Sequence, residues 1–310
     1  MRAVAVARFG ATPELMELPR PTEGPGEILV QMTAAGMNPY DPKILDGILK
    51  GRPHVFPLVA GVDGAGRVHA VGEGVTRFRP GDRIYGQFLR DPVGRGTYAE
   101  FAVVPESAPI ARIPDSLSDT LAAAIPTSGM TAFDALGRLD VSPGSSVAIV
   151  GASGGVGSFA VQLAAARGGE VIAVARPGSE TRLRELGARE VVDVSGWAER
   201  LRVAHPQGLD ALLDLMSDRA SFSSGLGVVK PGGRAATTVY AVDPDRIPAG
   251  VTAIAIDLQP SVELLEGVTR AVVDQGLSVP LRRTISLEES VAVLAEIRAG
   301  RSVGKTVIAL

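Results

Sequence analysis

Residues 147–157 read VAIVGASGGVG: an apolar run passes into a glycine-rich turn and then into a helical pattern that continues to Ala166. A strand that opens through glycines into a helix points backbone N–H groups and the positive helix end at one place, which suits a pyrophosphate. The spacing of Ala152, Gly154 and Gly157 is that of the dinucleotide fingerprint, with alanine in its first position. We therefore expect the dinucleotide phosphates to bind at Ser153, Gly154, Gly155, Val156 and Gly157.

The residue after the second strand of such a unit selects the nicotinamide cofactor. A carboxylate there binds the ribose hydroxyls of NAD, whereas an arginine accommodates the 2′-phosphate of NADP. Here the expected strand Val171–Ala175 is followed by Arg176, and the first carboxylate is that of Glu180. Arg176, joined by Ser179 and Arg182, can neutralise a phosphate through charge-assisted hydrogen bonds. The sequence predicts NADPH.

Strands and helical segments alternate on both sides of the glycine turn, which predicts right-handed crossovers and a doubly wound parallel sheet. The expected strands are Ser146–Val150, Val171–Ala175, Glu190–Asp193, Leu209–Leu215 and Arg234–Val239, with Val251–Ile256 at the edge. Ser118 is the expected N-cap of a helix over Asp119–Ile125, and further helices are expected over Thr131–Leu139 and Ser261–Gln275.

The first hundred residues show a different sequence pattern. Short β-branched runs such as Glu27–Thr33 and Arg67–Val71 alternate with Gly/Pro turns, which favours a partly closed antiparallel barrel. A last strand over Lys305–Leu310 returns to that barrel. We predict a barrel-like catalytic domain from residues 1–117 and 259–310, interrupted by a dinucleotide-binding domain over residues 118–258.

Composition narrows the class of protein. The 310 residues fit about two domains, 45% of them are apolar, and the net charge of −3 with a pI near 5.7 provides no basic surface for nucleic acid. The absence of cysteine excludes disulfides, a Cys nucleophile and thiolate metal sites. Residues 141–166 carry no charge, but their central glycines would break a membrane-spanning helix. We expect a cytoplasmic protein that acts on a small molecule.

Several motifs in order resemble the medium-chain dehydrogenase/reductase superfamily, and within it the zinc-free quinone oxidoreductases related to ζ-crystallin. They are AGMNPYD at 35–41, GVDGAG at 61–66, PGDRI at 80–84, GTYAE at 96–100, the glycine turn, and GKTV at 304–307. The resemblance covers essentially the whole chain. It implies an α/β protein with a GroES-like, partly open β-barrel domain and a Rossmann domain, and a homodimer joined at the edge strand Val251–Ile256.

The resemblance also shows which positions of this sequence correspond to the zinc ligands of related enzymes. Zinc alcohol dehydrogenases of this superfamily bind catalytic zinc through a Cys, a His and a second Cys, which match Asn38, Val62 and Thr127 here. Val62 has no donor atom, so these three residues do not form a zinc ligand set. Only nine residues separate Gly86 from Gly96, too few for the family's structural zinc lobe. We expect no metal.

Without a Lewis acid, reducing a quinone or an α,β-unsaturated carbonyl is easier than oxidising an alcohol, because one hydrogen-bond donor can stabilise the developing oxyanion. Tyr40 stands where zinc enzymes keep a proton-relaying Ser or Thr, so its hydroxyl is the candidate donor, with Lys43 a weaker competitor. Asn38 would orient substrate or nicotinamide. The resemblance further implies cofactor contacts for Thr131 and Lys305, and hydrogen bonds within the barrel for Asp41 and Asp63.

Two other functions stay open at this stage. The chain could be an NADPH-binding protein with a sensing or structural role, as the crystallin relatives illustrate. It could also be an enoyl-thioester reductase, which would need basic residues for the phosphates of its carrier; Arg52, Arg90 and Arg95 are the candidates, but sequence does not place them.

Overall fold

The computed structural model describes residues 1–301 and 304–310. The strands in chain order are β1 (Arg2–Val6), β2 (Glu14–Glu17), β3 (Glu27–Gly36), β4 (His54–Val59), β5 (Asp63–Val71), β6 (Arg83–Gln87), β7 (Val93–Arg95), β8 (Phe101–Pro105), β9 (Ile110–Arg112), β10 (Ser146–Val150), β11 (Glu170–Ala175), β12 (Glu190–Asp193), β13 (Leu209–Asp214), β14 (Val229–Thr237), β15 (Thr252–Ala255), β16 (Leu281–Ile285) and β17 (Lys305–Ala309). The helices are α1 (Tyr40–Leu45), α2 (Asp119–Ala124), α3 (Pro126–Arg138), α4 (Gly155–Ala166), α5 (Glu180–Glu185), α6 (Trp197–Ala204), α7 (Arg219–Gly225), α8 (Val262–Asp274) and α9 (Ser290–Arg298).

The chain divides into two units. The first comprises Met1–Thr127, Pro260–Thr269 and Val279–Leu310, and the second comprises Ser128–Gln259 and Arg270–Ser278. The sequence-based division differs in giving residues 270–278 to the first unit. It also differs at its first boundary, which it puts after residue 117. The reason is α2: its predicted cap forms, with the Leu121 N–H donating to Ser118 Oγ at 3.2 Å, but the helix belongs to the first unit. Helical periodicity does not reveal which unit a short helix joins.

The first unit is built on two sheets. One has the order β2-β1-β4-β7, and the other has the order β16-β17-β3-β5-β6-β9 with β8 also paired to β3. Most pairs are antiparallel, as the turn-rich sequence predicts; β4–β7 and β16–β17 are parallel. The long strand β3 pairs with β5, β8 and β17, which brings the returning tail beside residues 34–36. This confirms the expected GroES-like unit, although α1 and α9 were not predicted.

The second unit contains a six-stranded parallel sheet in the order β12-β11-β10-β13-β14-β15. Counted from β10, this is the 3-2-1-4-5-6 order of dinucleotide-binding folds. The prediction of a doubly wound sheet with residues 251–256 at its edge is therefore confirmed, while the fifth strand begins earlier than predicted, at Val229. The uncharged stretch at 141–166 forms β10, the glycine turn and α4. Among residues 1–301 and 304–310, no helix has both the length and the apolarity to cross a membrane.

Candidate active site

The glycine turn lies at the carboxyl end of the central strand β10, where strand order reverses between β11 and β13. Ligands of open α/β sheets bind at this switch point. Gly151 has a φ of +83°, which turns the chain out of the strand, and Gly154 caps α4 in an extended conformation. The first intrahelical bond joins the Ser158 N–H to the Gly154 carbonyl at 2.9 Å. The N–H groups of the preceding helical turn are thus left for a ligand.

Glycine suits the two later positions of the fingerprint for different physical reasons. A Cβ at Gly157 would lie 2.3 Å from the Gly151 carbonyl oxygen and 2.6 Å from Ala152 Cα, so only glycine allows α4 to pack this close to the turn. A Cβ at Gly154 would meet only the Gly151 oxygen, at 3.3 Å, and would otherwise project into open space. That space is where a pyrophosphate would approach the backbone, so the turn fits a dinucleotide.

Arg176 lies at the carboxyl ends of the strands, as the glycine turn does, because β10 and β11 are parallel neighbours with Val150 opposite Val174. Its side chain is exposed, and its carbonyl accepts a hydrogen bond from Ser179 Oγ at 3.0 Å. The nearby carboxylate of Glu180 accepts from the Gly178 N–H at 2.9 Å. Thr131, the other predicted contact in this unit, is nearly buried on α3.

Sequence reasoning missed Asp214, the last residue of β13. This carboxylate is fully buried at the same end of the sheet, opposite Val150 of β10. Oδ1 accepts from the N–H groups of Met216 and Ser217, and Oδ2 has no hydrogen-bond partner among the described residues. An aspartate directly after the apolar residues Ala211, Leu212 and Leu213 was the available signal.

In the first unit, two of the three positions that match zinc ligands, Asn38 and Thr127, form part of a buried polar network. Asn38 Nδ2 donates to Asp63 Oδ2 at 2.9 Å and to the Gly36 carbonyl at 3.3 Å. Thr127 Oγ1 donates to Asp63 Oδ1 at 2.6 Å, and the Thr127 backbone N–H also donates to this carboxylate. The third position, Val62, contributes a buried apolar side chain.

The cation of this network is the ammonium of Lys305. Nζ lies 2.5 Å from Asn38 Oδ1 and 3.3 Å from Asp63 Oδ2, and Lys305 is 2% exposed. A buried ion pair persists when its remaining polar atoms are hydrogen-bonded, and Asp63 meets that condition through Asn38 and Thr127. The cofactor contact that the sequence predicts for Lys305 stays a prediction, and the ammonium is here bonded inside the first unit.

The network changes how Asn38 can act. Both hydrogens of its amide are used, on Asp63 and on Gly36, and its oxygen accepts from Lys305. Its side chain is 2% exposed. A direct hydrogen bond from the Asn38 amide to substrate would have to break one of these bonds. The predicted role in orienting substrate or nicotinamide is untested, and any effect of Asn38 passes most easily through its neighbours.

Asp41 and Tyr98 extend the network. Asp41 Oδ2 accepts from the Tyr98 hydroxyl at 2.6 Å and from the Asn38 N–H at 2.7 Å. Burial raises the pKa of Asp41 to about 7; these two hydrogen bonds oppose the shift, the charge of Asp63 adds to it, and Lys305 opposes it. Burial and the neighbouring Asp41 raise the pKa of Tyr98 well above its usual value, so Tyr98 remains a donor.

Tyr40, the predicted proton donor, is the first residue of α1, directly before Asp41. Its ring is partly buried against the apolar cluster that contains Ile44 and Val62. Lys43, the weaker candidate, is exposed on the same helix. A phenol on the rim of an apolar cluster can donate one hydrogen bond to a developing oxyanion.

The geometry of the metal-ligand positions can be compared with known families. The family model for the alcohol dehydrogenase GroES-like domain matches residues 24–115, and the model for zinc-binding dehydrogenases matches residues 155–255. Yet Val62 offers no donor, and residues 1–301 and 304–310 contain no group of three or more His, Cys, Asp or Glu able to hold a metal ion.

Three relatives represent the matches. The chain is 31% identical over 289 residues to the 2-methylene-furan-3-one reductase of Solanum lycopersicum, covering 91% of this chain and 71% of that protein. It is 34% identical over 203 residues to a chloroplastic quinone oxidoreductase of Triphysaria versicolor, covering 62% of this chain. That alignment spans only 61% of the relative's length. A mycobacterial structure complexed with NADPH superposes with a TM-score of 0.87 at 26% identity, covering 100% of both chains.

The fold, the fingerprint turn and these matches agree along the whole chain. The chain belongs to the medium-chain dehydrogenase/reductase superfamily, in its quinone oxidoreductase branch.

Proposed function

We propose that this chain is a zinc-independent, NADPH-dependent reductase that transfers hydride to a quinone or to an α,β-unsaturated carbonyl. The observation that carries the proposal is the buried network in which Lys305 and Asp63 bind the residues at the zinc-ligand positions, Asn38 and Thr127. A substrate class that needs a hydrogen-bond donor rather than a Lewis acid is compatible with that arrangement.

The cofactor assignment rests on the second unit. When bound, NADPH supplies the hydride. The N–H groups of Ser153, Gly155, Val156 and Gly157 would hold the pyrophosphate, with Gly154 leaving room for it, and Arg176 would pair with the 2′-phosphate. Support comes from the open space beside Gly154 and from the exposed guanidinium at the end of β11. The complex of the mycobacterial relative with NADPH points to the same cofactor.

We assign the proton-donating part to Tyr40. Hydride addition to an electrophilic carbon leaves negative charge on the carbonyl oxygen of the substrate. The Tyr40 hydroxyl would donate a hydrogen bond to that oxygen as charge develops, and one such donor stabilises the transition state by about 3 kcal/mol. Asn38, with both amide hydrogens bonded to protein, would act as a positioning residue for the segment that carries Tyr40.

The test is steady-state oxidation of NADPH and NADH, side by side, with a panel of quinones and enones. The proposal expects turnover with at least one substrate class and a higher kcat/KM with NADPH. Tight NADPH binding without turnover of any panel member would contradict the enzymatic function and favour a sensing or structural role. An enoyl thioester is assayed beside the panel, and turnover confined to that substrate would favour the enoyl-thioester alternative.

A further inference from the structure

Lys305 carries a charge in the interior of the first unit, where lysine is rarely found. Its side chain is 2% exposed, and Nζ donates to Asn38 Oδ1 at 2.5 Å and to Asp63 Oδ2 at 3.3 Å. The side chain reaches these groups because β17 pairs with the end of β3, where the Met37 N–H donates to the Thr306 carbonyl at 2.9 Å. With almost no surface open to solvent, the ammonium acts on a reaction most directly through the residues that it binds.

A buried ion pair such as that of Lys305 and Asp63 is weak evidence for a role in stability. Removing two charges from water is costly, and apolar residues of similar volume often serve a protein core equally well or better. The established alternative is that a buried ion pair fixes one arrangement of the polar groups around it. In this unit the group that depends most directly on the ammonium is the side-chain amide of Asn38.

Lys305 and Asp63 together select one orientation of that amide. An ammonium only donates hydrogen bonds, so the amide oxygen of Asn38 faces Nζ. The two amide hydrogens then point to Asp63 Oδ2 at 2.9 Å and to the Gly36 carbonyl at 3.3 Å. Turned by half a rotation, the amide would place its NH2 group against the ammonium and its oxygen against the carboxylate. Without the ammonium, the oxygen of Asn38 would lose the donor that holds it.

Asn38 begins the segment that carries Tyr40. The backbone N–H of Asn38 donates to Asp41 Oδ2 at 2.7 Å, and its carbonyl accepts from the Asp41 N–H at 3.1 Å. Asp41 Oδ2 also accepts from the Tyr98 hydroxyl at 2.6 Å. Tyr40 therefore lies between two residues that are each held by a buried side chain from a distant part of the chain, Lys305 on one side and Tyr98 on the other.

The helix that starts with Tyr40 has little capping of its own. Helix α1 comprises six residues, and Pro39 at its N-cap position makes no side-chain hydrogen bond to the helix. A helix this short is not stable by itself in water, so its place in the protein depends on tertiary contacts. The hydrogen bonds of Asn38 and Asp41 are such contacts at its first turn, and they fix the backbone from which the Tyr40 side chain extends.

We propose that Lys305 is a positioning residue of the reductase: through Asn38, its ammonium fixes the segment 38–41 and with it the place of the Tyr40 hydroxyl. The effect on catalysis rests on the function proposed above; the restraint of the segment does not. An ammonium and a carboxylate thus link two positions that match zinc ligands, Asn38 and Thr127. This role differs from the cofactor contact predicted for Lys305, and the two have different experimental consequences.

The restraint can be measured without turnover because the chain contains only four tyrosines, Tyr40, Tyr85, Tyr98 and Tyr240. After labelling with 3-fluorotyrosine, each gives a fluorine NMR signal, and the signal of Tyr40 is the one that Tyr40→Phe removes. Lys305→Met keeps an unbranched side chain without the charge, and it should shift or broaden the Tyr40 signal. The signal of Tyr240, in the second unit, should stay unchanged. An unchanged Tyr40 signal, or equal changes in all four signals, would overturn the proposal.

A second variant guards against misfolding, because Lys305→Met leaves the buried Asp63 carboxylate without its cation. Lys305→Met combined with Asp63→Asn removes both charges and should change the Tyr40 signal in the same way. If this double variant also fails to fold, the ammonium serves stability and the proposal is wrong. The matched control is Lys230→Met, which breaks a 2.6 Å ion pair with Asp210 in the second unit and should leave the Tyr40 signal and kcat unchanged. Equal effects of the two lysine variants would contradict the proposal.

Kinetics with NADPH show whether the restraint matters for turnover. Lys305→Met should lower kcat about 10- to 100-fold, with little change in KM or in the Kd of NADPH. In a Tyr40→Phe background the same replacement should have little further effect, because the hydroxyl that it positions is gone. Equal losses in both backgrounds, or a raised Kd of NADPH with an unchanged kcat, would overturn the proposal. If the wild type turns over no quinone or enone, while Lys305→Met still alters the Tyr40 signal, the reductase function is refuted and the restraint stands.

Discussion

Replacing Gly157 by alanine adds one methyl group at the tightest point of the dinucleotide turn. The new Cβ would lie 2.3 Å from the Gly151 carbonyl oxygen, 2.6 Å from Ala152 Cα and 2.8 Å from the Ala152 carbonyl carbon. All three atoms belong to the backbone, so no side-chain rotation relieves the contacts. Either α4 or the turn must move by at least about 0.7 Å to restore a separation of about 3.0 Å.

The expected loss in the free energy of unfolding of Gly157→Ala follows from two opposing effects. Overpacking of this kind costs about 3 kcal/mol when backbone must shift, and alanine in place of a helical glycine returns about 1 kcal/mol. We therefore expect Gly157→Ala to lower the free energy of unfolding by about 2 kcal/mol. NADPH affinity should fall about tenfold or more, because the N–H groups of Gly155 and Val156 move with the turn.

The assay uses a probe that the chain already contains. Trp197 is the single tryptophan, lies in the second unit with Gly157, and is 6% exposed in its core, so its fluorescence during urea unfolding reports on this unit. The control is Gly137→Ala on α3 of the same unit, where a Cβ would meet no atom within 4 Å. That control should raise the free energy of unfolding by about 0.5–1 kcal/mol. The reasoning is refuted if Gly157→Ala is as stable as Gly137→Ala and binds NADPH with wild-type affinity.

Four further outcomes are expected. Arg176→Ala should raise the NADPH dissociation constant roughly 10- to 150-fold and leave NADH binding unchanged; an unchanged NADPH constant would mean that another residue selects the cofactor. Tyr40→Phe should lower kcat by about 10- to 1000-fold with little change in KM, and an unaltered kcat with both quinones and enones would remove Tyr40 from the mechanism. Purified protein should contain no stoichiometric metal, and chelators should leave its activity intact; activity lost to a chelator would refute the zinc-independent mechanism. We also expect a homodimer joined at the edge strand β15, so Ile254→Pro should shift sedimentation toward the monomer, whereas a monomeric wild type at micromolar concentration would count against it.

Much of the fold could be predicted because its signals are local. The strand–glycine–helix transition at 147–157 depends on neighbouring residues, and β12 forms over the predicted range, Glu190–Asp193. The parallel sheet follows from alternating strands and helices, because right-handed crossovers allow few alternatives. The motif order also led correctly to the superfamily. By contrast α1 and α9 were not predicted, and the division between the units lies ten residues beyond the predicted one at its first boundary.

The sequence by itself determined which chemistry the chain can offer. Without cysteine, and with valine at one ligand position, no arrangement of the fold could restore the family's zinc ligands. The backbone space that only a glycine leaves at position 157 and the positive charge at Arg176 are likewise properties of the residue type. Such properties need no knowledge of distant neighbours.

Tertiary structure alone decided what those side chains contact. Lys305 and Asn38 are 267 residues apart in the chain, yet their side chains are bonded because β17 pairs with β3. The pairing and the pKa of a buried polar group depend on every atom that replaces its water, and those atoms come from segments that sequence spacing does not connect.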